Sequence, residues 1–134
     1  MNISESVYLH YLSALLDGNK TTCIDIIDEL LKERAEVRIV YEQIIRKSMC
    51  RTGELWDKCR ISIADEHVAS EITRDVISYI GLNTNRNEPG LRTAVVTCVN
   101  KEKHDLGAKI ISNFFELKGW GGLNHVVFFV HVMK

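Results

Sequence analysis

The chain's only proline, Pro89, lies in a polar stretch, residues 82–90, that reads Leu-Asn-Thr-Asn-Arg-Asn-Glu-Pro-Gly. Proline fixes its own φ and disfavours helix in the residue before it, while asparagine and glycine favour turns. Any helix reaching this stretch must stop, and the hydrophobic texture differs on its two sides. Upstream, apolar residues recur at the intervals of amphipathic helices. Downstream, Thr93-Ala94-Val95-Val96-Thr97-Cys98-Val99 is a β-branched run, as in a strand buried on both faces. The partition predicts a helical bundle over 1–82, a linker over 83–91 and an α/β unit over 92–134.

Ser4 followed by Glu5 opens a first helix, with Val7, Tyr8, Tyr11, Leu12, Leu15 and Leu16 on its apolar side and Gly18 as its stop. A second, from near Thr21, is expected to bury Ile24, Ile27, Leu30 and Leu31. A third, from about Glu36, carries Val37, Val40, Tyr41, Ile44, Ile45 and Met49, and Gly53 is expected to interrupt or end it just before Trp56. A fourth runs from about Ser62 to Ile80. At roughly 100° per residue, Ala64, Val68, Ile72 and Val76 form a stripe expected to face the bundle interior. His67 then falls nearly opposite, beside Ile63, Ser70 and Ile77, on a second face that also needs a cover. After the β-branched run and a polar loop, an amphipathic helix opens at Leu106 or Gly107, runs through Ile110, Ile111, Phe114 and Phe115, and stops near Gly119. Strand, loop and helix open a parallel βαβ unit. The expected fold is mostly α, a four-helix bundle followed by a partial, Rossmann-like α/β unit. That unit reads as truncated after its first strand and helix. The remaining tail supplies at most one more strand, 126–132, whose apolar edge would invite association.

Composition narrows the function classes. Hydrophobic residues make up 46% and charged residues 26%, the balance of a globular chain. The formal net charge of −1 supplies no basic field for nucleic acid, and no direct nucleic-acid contact is predicted. The N-terminus lacks a signal-peptide pattern, and no apolar run is long enough for a bilayer. Cys23, Cys50, Cys59 and Cys98 form no C-x-x-C pair and match no zinc spacing. The expectation is a cytoplasmic protein that uses its cysteines as small core residues.

Two constellations carry chemistry. The first is the loop Glu102-Lys103-His104-Asp105-Leu106-Gly107, between the first strand and its helix, where open α/β sheets bind ligands. Glu102 or Asp105 can accept a proton from one imidazole nitrogen of His104, freeing the other for a metal. Gly107 lets a flat ligand approach the backbone. By residue type alone the better reading of His104 is an exposed loop histidine with no role, because one histidine beside two acids is common. The loop resembles the D-x-H-x-x-G loop of cobalamin-binding domains, with His104 and Gly107 matching and Glu102 standing where the family has aspartate. The resemblance implies that His104 replaces the cofactor's own base as the lower ligand of cobalt.

The second constellation is Trp56, nine intervening residues, then Glu66-His67. By residue type alone this is a core tryptophan and a solvated Glu-His pair. The pattern resembles the helical cap of adenosylcobalamin-dependent light-sensing regulators. That resemblance, which extends to Trp120, implies that Trp56, Glu66 and His67 line the upper face of the corrin.

Together these readings predict a non-enzymatic cobalamin-binding sensor or regulatory module, with adenosylcobalamin favoured and methylcobalamin possible. The corrin would lie between helical cap and histidine loop. One alternative is a corrinoid methyl carrier that keeps the upper face open to a donor enzyme. Another is a degenerate interaction module that binds no cofactor. A homo-oligomer through the bundle or the C-terminal strand is a further expectation.

Overall fold

The computed structural model describes residues 2–84, 93–94, 96 and 106–122. The chain forms two compact units, Met1–Leu82 and Asn83–Lys134.

In the first unit, α1 spans Glu5–Leu16, α2 Lys20–Lys32, α3 Val37–Val40, α4 Lys47–Asp57 and α5 Ile63–Asn83. A π-helical segment, Tyr41–Arg46, joins α3 to α4 through residues in right-handed helical conformation, making one continuous rod. The start of α1 follows its sequence signal, since the Ser4 hydroxyl accepts from the Val7 N–H. Asn19 caps α2 in the same way, its Oδ1 accepting from the Thr22 N–H at 3.1 Å.

The helix ends share one device. In α1 the Asn19 N–H returns to the Ala14 carbonyl and the Gly18 N–H to that of Leu15. The same pair of bonds closes α2 through Arg34 and Ala35, and α4 through Cys59 and Arg60. This is the Schellman closure, which requires a left-handed residue just past the helix. Gly18 takes that conformation at φ 71°, but Arg34 and Cys59 take it too, at φ 59° and 53°. Glycine marks such a stop in a sequence, whereas arginine and cysteine do not.

The core draws on all four rods: Tyr11 and Leu15 from α1, Cys23 and Ile27 from α2, Val40, Ile44 and Ile45 from the third rod, and Val76, Ile77 and Ile80 from α5. Polar ties fix α5 to its neighbours. Lys20 pairs with Asp75 at 3.0 Å, the Tyr79 hydroxyl donates to Asp28 at 2.7 Å, and the Thr73 hydroxyl meets the Met49 sulfur at 3.1 Å. In the π-helical segment, Gln43 accepts from the Ile3 N–H and donates to Asn2, which pins the chain ahead of α1.

Several sequence expectations are corrected. Gly53 neither interrupts nor ends the third rod, which continues through Trp56 to Asp57. One glycine costs a helix only about 1 kcal/mol, too little to break a rod packed along its length. In α2 the buried set is Cys23, Ile26, Ile27 and Leu30, while Ile24 and Leu31 are half-buried. Cys23 is a core residue, but Cys50 and Cys59 are exposed.

The largest correction concerns α5. Ile72 and Val76 are buried as expected, but Ala64 and Val68 are exposed, and the supposed second face at Ser70 and Ile77 is buried instead. A row of residues four apart drifts by about 40° per step on a helix of 3.6 residues per turn. Twelve residues of drift carry Ala64 well away from the side that holds Val76. The face that stays buried alternates steps of three and four: Ala69, Ile72, Thr73, Val76, Ile77 and Ile80.

The second unit shows β1, Thr93–Ala94, then α6, Leu106–Leu117, then β2, Gly121–Gly122. The strands pair in parallel, Thr93 opposite Gly121 and Ala94 opposite Gly122. Parallel pairing needs a crossover, and α6 lies within it. α6 closes with the same Schellman bonds, with Gly119 at φ 80° and the Trp120 N–H returning to the Phe115 carbonyl. The Trp120 and Phe115 rings meet edge to face at 5.2 Å, the apolar contact that accompanies this motif. The apolar tail 126–132 lies outside the described residues.

Candidate functional site

The α4–α5 corner gathers the second constellation. Trp56 stands in the last turn of α4, and Glu66 and His67 stand in the first turns of α5. The Cys59 turn reverses the chain between them. Ser62 then opens α5 with a reciprocal cap. Its Oγ accepts from the Asp65 N–H at 3.1 Å, while Asp65 Oδ2 accepts from the Ser62 N–H at 2.8 Å and from its hydroxyl at 2.7 Å. The two bonds from Ser62 hold the Asp65 carboxyl below the usual carboxylate range. The capping box satisfies the helix start without help from a neighbouring helix.

It has to, because little packs there. Trp56 is 46% exposed, Ile63 70% and Val68 45%. Ala64, Asp65 and His67 are exposed as well. Trp56 is therefore not a core tryptophan. This corner displays the Trp56 indole and, on the first turns of α5, the Ile63 side chain and the His67 imidazole, whereas Val68 lies on another side of α5, beside the turn at Gly18. Glu66 is half-buried, and its Oε1 accepts from the Ser70 hydroxyl at 2.9 Å. In the sequence Ser70 is a residue of the His67 face, four positions after Glu66, and carries no further signal of this bond. At the other end of α5, Tyr79 and Lys32 hydrogen-bond to Asp28 and hold its carboxyl low, Lys32 the more strongly.

In the first constellation, Glu102, His104 and Asp105 lie outside the described residues. Gly107 is the second residue of α6, exposed, and a Cβ there would meet no described atom within 4 Å. Among the described residues, no three histidine, cysteine or carboxylate side chains are grouped to hold a metal ion. Nor is any helix among them long and apolar enough to cross a membrane.

Fold and site together define a helical module with one apolar corner left uncovered, followed by a strand–helix–strand unit. A sequence profile of the B12 binding domain matches residues 10–80, more than half of the chain, and the protein belongs to that family. The match ends within α5 and contains Trp56, Glu66 and His67. Among solved structures, the monomethylamine corrinoid protein of Methanosarcina barkeri is similar over 94% of this chain, with a TM-score of 0.77 at 12% identity. The chain spans 60% of that protein's length. At this identity the likeness is one of fold. No curated protein matches the chain.

Proposed function

We propose that this chain is a cobalamin-binding sensor or regulatory module. Trp56, Glu66 and His67 cover the upper face of the corrin, and His104 ligates cobalt from below. The observation that carries the reading is the exposed indole of Trp56, inside the region that matches the family. Covering its exposed half would return on the order of 2 kcal/mol, and a flat macrocycle is a suitable cover. Ile63 adds exposed apolar surface, while Glu66 and His67 offer hydrogen bonds to a polar upper ligand, which favours adenosylcobalamin. From the other side, Glu102 or Asp105 orients the imidazole of His104, and Gly107 leaves room for the ring's approach. This histidine loop belongs to a Rossmann-like unit of which β1, α6 and β2 are parts. When bound, cobalamin supplies a cobalt–carbon bond that light or a nucleophile can cleave.

The test is the absorption spectrum of purified protein with adenosylcobalamin, in the dark and after green light. The expected result is a histidine-ligated spectrum that His104→Ala abolishes. His67→Ala should keep dark binding and alter only the state formed after light. An unchanged spectrum and affinity in His104→Ala would make the cobalt assignment wrong.

A second reading, a corrinoid carrier for methyl transfer, is favoured by the likeness to the Methanosarcina barkeri protein. It would use the same histidine loop with the upper face open to a donor enzyme. Equal binding of methylcobalamin, without a light response, would select it. No spectral change with either cofactor would leave a module that associates with partners and binds no corrinoid.

A further inference from the structure

Serine and threonine within helices commonly donate to the carbonyl one turn back. Among the described residues Thr52 donates to the Ser48 carbonyl at 2.9 Å and Ser78 to the Arg74 carbonyl at 3.1 Å. Ser70 has the Glu66 carbonyl in the equivalent place, yet it donates to the Glu66 carboxylate, at 2.9 Å. Ser70 is only 8% exposed, so its rotamer is fixed by packing and the carboxylate is drawn to it. The backbone of Glu66 is held too, its N–H reaching the Ser62 carbonyl at 3.1 Å inside the capping box. Among the described residues Glu66 makes no ion pair, and its other oxygen, Oε2, has no hydrogen-bond partner.

We infer that Ser70 is a positioning residue, which occupies Oε1 of Glu66 and leaves Oε2 set to accept a hydrogen bond from a hydroxyl of the upper ligand of cobalt. The inference rests on the proposed placement of Glu66 over the corrin. A glutamate with free torsions gives up rotamer entropy when it binds, whereas one already held by a buried serine has lost it on folding. Ser70 therefore tunes selectivity. Adenosylcobalamin carries hydroxyls on its upper ligand and methylcobalamin carries none, so only the former senses the serine.

The test uses the full chain with Ser70→Ala and Ser70→Thr. Alanine is smaller than serine and a better helix former, so that variant keeps α5. In cofactor-free protein, side-chain couplings measured by NMR should show one dominant Glu66 rotamer in wild type and averaging in Ser70→Ala. In dark titrations followed by absorption, Ser70→Ala should weaken adenosylcobalamin about five- to tenfold and methylcobalamin by less than about twofold. Ser70→Thr should restore the wild-type pattern. Equal weakening of both cofactors, or unchanged Glu66 couplings in Ser70→Ala, would overturn the positioning role alone. Wild-type protein that binds neither cofactor, or both alike, would overturn the upper-face reading and the role of Ser70 with it.

Discussion

The two ends of α5 are built on different principles. From Ala69 onward the helix is held by burial: Ile72, Val76, Ile77 and Ile80 are at most 5% exposed, and Lys20 and Asp28 tie it to α2. From Ile63 to Val68 it is mostly exposed: Glu66 is half-buried, and Val68 lies beside the Gly18 turn. That free end is held by its own chemistry, the reciprocal Ser62–Asp65 cap and the Glu66–Ser70 bond. A helix anchored along two-thirds of its length can present its first turns rigidly without packing them. A binding surface needs such an arrangement, with order that does not depend on the ligand already being there. The cost is exposed apolar area at Trp56 and Ile63.

The sharpest way to break this comparison is to cut the same side chain at each end. Ile77→Ala should lower unfolding free energy by about 2–5 kcal/mol, because Ile77 is 1% exposed and leaves a cavity. Ile63→Ala should change it by less than about 0.5 kcal/mol. Urea unfolding followed by circular dichroism measures both, and similar losses would mean that the free end is covered. The intermediate effect belongs to the cap. Ser62→Ala removes one half of the capping box and should cost about 1 kcal/mol, with faster amide exchange confined to residues 63–66. Exchange raised evenly along α5 would show that packing, and not the cap, orders the first turns.

The smallest effect sits at the far end, in the Tyr79–Asp28 bond. The Asp28 carboxyl is held below its ordinary range, first by Lys32 and then by Tyr79. A carboxylate with a depressed folded-state pKa contributes stability above its unfolded value and loses it as pH falls through the folded one. Tyr79→Phe should therefore narrow the stability difference between neutral and acid pH, leaving the Lys32 contribution in place. The contrast is small because Asp28 is solvent-screened. Thermal unfolding from pH 7 to pH 2 checks it, and a parallel downward shift of the whole profile would show that only packing was lost.

Much of the helical architecture was legible in the residues. Ser4, Gly18 and Gly119 act at helix ends as their chemistry dictates, because capping is a local affair of a few backbone groups. Arg34 and Cys59 do the same work as glycine against a local preference worth about 1–2 kcal/mol, so their residue types gave no signal. For the candidate site, the Trp56 and Glu66-His67 spacing drew attention to the corner, but their exposure was hidden.

The sequence by itself determined the helix ends marked by Ser4, Gly18 and Gly119, and that a turn would lie between Trp56 and Glu66. Only the tertiary structure decided which face of α5 is buried. Periodicity specifies the spacing of apolar residues but not the angular phase at which neighbours meet them. The Ala64–Val68–Ile72–Val76 row lost to a seam containing Ala69 and Thr73 because a straight helix cannot keep a four-residue row against one partner. The same choice of phase buried Ser70, left His67 in solvent, and brought the Ser70 hydroxyl to the Glu66 carboxylate.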